Sequence, residues 1–151
     1  MQYNYFETEE GLTKLLEDYK EVFTLLDDIS QQLLQGIITT IDGYKEILNQ
    51  ATGAYGTLEP LYSLSVAHKE NEELRYYVEK KRELENKGEK VVAASLEKES
   101  SLAVAEFRRV RAILEGYVES CSKGIGTCQT QLKRFELQWK NKGGNTSGQS
   151  Q

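Results

Sequence analysis

The sequence predicts an all-α protein with three long helices, packed as an elongated helical bundle with coiled-coil-like seams and followed by a disordered C-terminal tail. Apolar residues recur at every third or fourth position over long stretches, which is the helical period. The 151 residues include a single proline, whereas the turns of β proteins use proline often. The tail, residues 141–151, has no apolar side chain. This length predicts one domain, residues 1–140.

The first predicted helix covers residues 11–50, where apolar side chains spaced three or four residues apart form one continuous stripe. Thr8 or Thr13 is expected to cap its start. Gly36 and Gly43 lie inside this helix, and because each costs about 1 kcal/mol relative to alanine, a bend is expected near them.

A turn is predicted at residues 51–60, because this segment holds two glycines and the only proline. The second helix is then expected over residues 61–86. Its later part is rich in charge and poor in apolar residues, which is typical of a solvated helix face. Gly88 is predicted to mark the break that follows.

The third predicted helix, residues 95–140, has the most regular apolar pattern. The pattern is nearly a heptad repeat with one slip beside Gly124 and Gly126, which predicts a bend or a close helix approach there. A seam of this length needs a covering surface, so we expect homo-oligomers. The residues predicted to form this core or oligomer seam are Phe107, Val110, Leu114, Tyr117, Cys121, Cys128, Leu132, Phe135 and Trp139.

The sequence contains no recognisable catalytic or cofactor motif. His68 is the only histidine, which leaves too few ligands for a metal site, and it is expected to be a surface residue hydrogen-bonded to Glu72. Cys121 and Cys128 are about 10.5 Å apart along a continuous helix, which is too far for a disulfide, so small core residues are expected. We therefore predict a non-enzyme with no catalytic residues, metal, cofactor or small-molecule substrate.

Charge is distributed unevenly along the chain. Residues 1–66 carry a net charge of −8, residues 67–101 carry −1 and residues 102–151 carry +4. Such a chain can associate head to tail or present its basic end to a polyanion, but the charges can also pair antiparallel helices within one molecule. No signal peptide and no apolar run of the roughly 20 residues that span a bilayer are visible, which predicts a cytoplasmic protein without membrane contact.

Basic residues cluster twice in the third helix, and aromatic residues are interleaved with them. Positive charge combined with stacking surface is what sequence-independent binding of single strands requires. Several of these side chains also have an acidic residue three or four positions away. Their alternative role is to form ion pairs within the helix. The candidate nucleic-acid-binding residues are Arg108, Arg109, Arg111, Lys133, Arg134, Lys140 and Lys142.

Residues 85–139 resemble small helical accessory proteins of phage recombination and replication, and the overall plan resembles the UvsY-type recombination mediators. The resemblance rests on a charged middle with a glycine break, followed by a long helix with the features Leu114, Tyr117, Cys121, Gly124, Gly126, Gln131, Leu132 and Lys133. It implies a helical, oligomeric protein that binds single-stranded DNA without sequence preference and helps to load a recombinase where single-strand-binding protein resides. If the chain is encoded by a phage, its compartment is the cytoplasm of the infected cell.

Two functions from different classes therefore remain. The first is a non-enzymatic accessory protein of phage DNA metabolism, similar to a recombination mediator, with single-stranded DNA and a recombinase or single-strand-binding protein as partners. The second is a structural or protein-interaction helical protein, such as a virion component, an assembly chaperone or an inhibitor of a host protein.

Overall fold

The structure, a computed structural model, describes residues 4–144, and within them it is all-α with no strand. A short 3-10 helix, Asn4–Phe6, precedes five α-helices. The five helices are α1 (Glu9–Asp18), α2 (Lys20–Gln35), α3 (Ile41–Asn86), α4 (Ala93–Ala103) and α5 (Ala105–Gly144). The all-α helical bundle is thus confirmed, but three long helices are not quite what forms.

The predicted first helix is divided into three parts. It begins at Glu9, where the Thr8 hydroxyl accepts a hydrogen bond from the Gly11 amide at 3.0 Å, so Thr8 is the cap. A one-residue interruption at Tyr19 separates α1 from α2. Gly36, at φ +65°, then ends α2, and its amide and the next one donate to carbonyls of the last turn. This is a Schellman motif, which only a residue tolerant of positive φ forms readily.

The predicted turn at residues 51–60 is wrong, because this segment lies inside α3 and Pro60 is an internal helix residue. Ala51, Ala54 and Leu58 are buried on one side of the helix, whereas Pro60 is exposed. Burial of that apolar face outweighs the helix-breaking tendency of glycine and proline. The predicted second helix is therefore the second half of α3, and its end at Asn86 is confirmed, with Gly88 at φ +68°.

The predicted third helix is divided at Val104 into α4 and α5. Val104 is buried with φ −104° and ψ 23°, a non-helical conformation that its place in the core stabilises. The predicted tail begins too early, because residues 141–144 form the last turn of α5. The rest of that tail, residues 145–151, lies outside the described residues.

The described chain divides into two compact units. Unit 1 contains residues 4–20 and 58–116, and unit 2 contains residues 21–57 and 117–144. Because α3 and α5 each belong to both units, this division leaves the single helical domain as a prediction. The core of unit 1 includes Phe6, Leu12, Leu15, Leu58, Leu61, Leu96, Val104, Val110 and Leu114. The core of unit 2 includes Phe23, Leu26, Ile29, Ile47, Ala51, Ala54, Cys121 and Cys128.

Candidate functional site

The first cluster of candidate basic residues lies at the start of α5, in unit 1. Arg108 donates to the Ser101 carbonyl at 2.8 Å and to its hydroxyl, and its Nη2 lies 4.0 Å from Glu73 of α3. Arg109 pairs with Glu106 at 2.9 Å on the same helix. Exposed pairs of this kind contribute about 0.3–0.5 kcal/mol, so a phosphate can compete for these side chains.

Arg111 is less available than its neighbours. Its Nη2 lies 3.4 Å from Glu115, whose carboxylate also accepts a hydrogen bond from the Tyr62 hydroxyl at 3.0 Å. Its Nε is buried and makes no hydrogen bond within residues 4–144. Only about a third of the Arg111 side chain is exposed. This residue therefore contributes mainly to the packing of α3 against α5 in unit 1.

The second cluster lies in the last three turns of α5, in unit 2, and we call it the terminal cluster: Lys133, Arg134, Lys140 and Lys142. Lys140 binds Glu136 at 2.9 Å, and this hydrogen bond, with the charges of Lys140 and Lys133, lowers the pKa of Glu136. Arg134 and Lys142 are exposed and make no ion pair or side-chain hydrogen bond within the described residues. Most of the unneutralised positive charge among the candidate residues is therefore here.

An apolar groove of about 550 Å³ lies beside the terminal cluster, between the end of α5 and the first turn of α3. Ile41, Leu132, Phe135 and Trp139 supply its apolar wall. Although its predicted role in an oligomer seam stays a prediction, Trp139 is 80% exposed, so it is not a core residue within the single chain. The reason is geometric: α3 begins at Ile41, so little of α3 lies alongside this end of the α5 seam.

The remaining seam residues are buried or half-buried. Val110, Leu114, Cys121 and Cys128 are fully buried. The other members, namely Phe107, Tyr117, Leu132 and Phe135, are half-buried. Eight of the nine seam residues are thus at least half-buried within the single chain and Trp139 is exposed, while the oligomer seam itself stays a prediction.

The seam also forms specific contacts with α2 and α3 in unit 2. Tyr117 stacks on Phe23 with ring centroids 4.5 Å apart and donates to Asp27 at 3.1 Å. Burial, and then this hydrogen bond, raise the pKa of Tyr117. Gly124 is buried beside Leu33 of α2, but an added Cβ would lie 3.9 Å from that side chain, which is an ordinary contact distance, so the predicted bend or close helix approach at this glycine stays a prediction. Phe135 lies against Tyr44, with ring centroids 6.1 Å apart.

The two cysteines are free and buried, as the sequence predicts. Burial raises the pKa of both the Cys121 and Cys128 thiols above the ordinary value. A thiol that stays protonated and lacks solvent access is a poor nucleophile. Both therefore act as small core residues at the packed centre of unit 2.

His68 differs from its prediction, because its ring stacks on Phe6 with centroids 5.1 Å apart and is half-buried, while Glu72 pairs with Arg75. Sequence reasoning missed this contact, since Phe6 and His68 are far apart in the sequence. Among residues 4–144, no group of three histidine, cysteine or carboxylate side chains is arranged to bind a metal.

A second groove, of about 380 Å³, lies between α3 and α4 in unit 1 and was not predicted. We call it the acidic groove: Glu70, Glu73, Leu74, Tyr77, Glu97 and Ser100. Leu74 is 63% exposed within it. The only sequence signal for this groove was the sparse apolar stripe in the charge-rich second half of α3. By itself such a stripe is typical of a solvated helix face.

No helix in the described part of the chain is long and apolar enough to cross a membrane. No family model matches the sequence, and neither a curated protein nor a solved structure matches it.

Proposed function

We propose that this chain is a non-enzymatic accessory protein of DNA metabolism that binds single-stranded DNA without sequence preference, in the manner of a recombination mediator. The observation that carries the proposal is the exposure of Trp139 beside Lys140 and Lys142 in the lining of one groove, on the segment of α5 that also carries the exposed Arg134. Phosphates are attracted by the cations, and a base can stack on the indole ring. Recombinase loading, beside single-strand-binding protein, extends the proposal on the strength of the resemblance in residues 85–139.

The terminal cluster is the better of the two candidate interfaces. Arg111 is largely occupied by Glu115, and Arg108 and Arg109 each have a carboxylate nearby. In the terminal cluster only Lys140 has a close carboxylate partner, at Glu136. An unpaired cation can neutralise a phosphate without first breaking an internal ion pair, so the counterion release from the DNA favours binding without that cost.

The direct test uses the single tryptophan of the sequence as its own reporter. Addition of oligo(dT) to the protein at low salt is expected to quench Trp139 fluorescence, and the affinity is expected to fall linearly with the logarithm of salt concentration. Absence of quenching at low salt, or an affinity that salt does not change, would refute the proposal.

Variants then locate the interface by the anisotropy of a labelled oligo(dT). Trp139→Ala is expected to cost about 1–3 kcal/mol, as loss of one stacked base does. The double change Arg134→Glu, Lys142→Glu is expected to weaken binding and lower the salt slope by about one per lost phosphate contact. Lys123→Glu is the control, since Lys123 is also exposed on α5 but lies outside the cluster and pairs with Glu119, and binding should be unchanged.

The second candidate function, a helical protein that acts by binding another protein, is favoured by the apolar groove beside Trp139, because exposed apolar clefts with a polar rim mark such interfaces. Charge reversal at Arg108, Arg134 and Lys142 discriminates the two functions. A protein-binding role that depends on the apolar wall of Ile41, Leu132 and Phe135 alone survives the reversal, whereas DNA binding does not.

A further inference from the structure

The acidic groove and the end of α5 beside the apolar groove carry opposite charge. The acidic groove in unit 1 places Glu70, Glu73 and Glu97 around Leu74 and Tyr77. At the end of α5 in unit 2, Trp139 lies beside Lys140 and Lys142 in the lining of the apolar groove, and Arg134 is exposed about one turn earlier on the same helix. Each site combines an exposed apolar centre with a charged rim.

We propose that the end of α5 from one molecule docks in the acidic groove of a second copy of this chain. Leu74 is 63% exposed, and Trp139 is 80% exposed, so the single chain leaves both apolar centres uncovered. A tryptophan side chain buries some 150–250 Å² when it enters an interface, which makes it a typical anchor. The indole would lie against Leu74 and Tyr77.

Charge complementarity selects the second copy as the occupant. Glu70 and Glu97 make no ion pair within residues 4–144, and neither do Arg134 and Lys142. Docking pairs these unneutralised groups without breaking an internal salt bridge. Opposite potentials of this kind steer association and fix its register.

The contact joins two different surfaces and is heterologous, so in a dimer formed by one such contact one molecule keeps its free groove and the other keeps its free helix end. The association is therefore expected to proceed beyond the dimer. It does not depend on DNA binding, although it uses the same Trp139; if the proposed function also holds, single-stranded DNA and a second copy compete for this helix end.

A charge-swap experiment without DNA tests the contact. One variant carries Glu70→Lys and Glu97→Lys, and the other carries Arg134→Glu and Lys142→Glu; all four positions are exposed and unpaired, so the fold is preserved. Sedimentation velocity is measured over a concentration series at low and high salt, with circular dichroism to check the helix content. The wild-type chain is expected to associate with rising concentration, and less at high salt.

Each variant alone should associate more than tenfold more weakly, because like charges then face each other. The equimolar mixture should recover assembly, because each helix end then meets a groove of opposite charge. Glu89→Lys and Lys123→Glu, outside both sites, are the matched controls and should assemble as the wild type does. Trp139→Ala should also weaken association by more than tenfold.

Three results would overturn the proposal: a wild-type chain that stays monomeric over the whole concentration series, variants that assemble like the wild type, or a mixture that fails to recover assembly. Because none of these measurements contains DNA, the docking contact and the proposed DNA interface can fail independently.

Discussion

At the scale of single residues, the N-terminal turn of unit 1 illustrates how a small number of side chains fixes a segment of irregular chain. The Tyr5 hydroxyl donates to Asp18 at 2.6 Å, and its ring lies edge-on to Tyr19. The hydrogen bond to Asp18 raises the pKa of Tyr5 to about 12. Because the neutral phenol is the favoured form in the fold, this stabilisation is complete below pH 10 and is lost as the pH rises through about 12.

Gly11 permits this turn to approach α1. A Cβ atom built at Gly11 would lie 2.6 Å from the Tyr5 carbonyl oxygen, which is a backbone atom and cannot move aside alone. Gly11→Ala is therefore expected to lower the free energy of unfolding by about 1–3 kcal/mol, as overpacking does. Urea denaturation followed by circular dichroism measures the change.

Gly116→Ala is the matched control, because a Cβ at this exposed position of α5 meets nothing within 4 Å. It is expected to raise stability by about 1 kcal/mol through helix propensity. If both glycine changes stabilise the protein alike, the packing of the N-terminal turn on α1 is incorrect.

At the scale of elements, α3 departs furthest from local preference. It is 46 residues long and includes residues 51–60, where two glycines and a proline predict a turn from the local sequence. Ala51, Leu58 and Leu61 are almost fully buried along this stretch, and that burial depends on helical spacing. Where no comparable burial opposes it, glycine does end a helix: Gly36 and Gly88 are both exposed, and both adopt positive φ.

Pro60 therefore destabilises α3 locally. It lacks the amide for a helical hydrogen bond, and its ring crowds the preceding turn, which together cost about 3 kcal/mol. Pro60→Ala is expected to raise the free energy of unfolding by about 2 kcal/mol, once about 1 kcal/mol is subtracted for the greater entropy of the unfolded chain. Thermal and urea denaturation measure this gain.

Asn49→Ala, at another exposed position of α3, is the control and should change stability by about 0.5 kcal/mol or less. A Pro60→Ala variant that is no more stable than this control would contradict the continuity of α3 through residue 60.

At the scale of the whole molecule, both cores are built from residues far apart in the chain. Unit 1 packs Leu12 and Leu61 from the first half with Leu96 and Leu114 from the second. Unit 2 likewise takes α2 from the first half and Cys121 and Cys128 from the second. Cleavage of the loop between α3 and α4 would divide both cores, because each fragment would keep only part of the residues that form them.

Fragments 1–88 and 89–151 are accordingly expected to be poorly helical when produced separately, because each apolar stripe lacks its covering surface. When mixed, they should regain helical circular dichroism beyond the sum of the two spectra. A mixture whose spectrum equals that sum would show that the helices do not need each other, which contradicts the two shared cores.

The candidate site was predictable in its residue types but not in their availability. Spacing along α5 correctly separates Arg111, which has a carboxylate at helical spacing, from Arg134 and Lys142, which have none. It does not detect Glu73 beside Arg108, because that residue belongs to α3. It also places Trp139 in the seam, since a periodic pattern does not register that α3 begins at Ile41.

The sequence by itself determined the helical class, the seam from Val110 to Cys128 and the break at Gly88, because each depends on spacing or on one residue's backbone preference. Only the tertiary structure decided that residues 51–60 are helical, that Tyr19 and Val104 interrupt helices, and that Trp139 is exposed. Those outcomes depend on which helix faces pack against each other. Such contacts join residues distant in the chain, and their burial free energy exceeds the local preferences that a sequence pattern expresses.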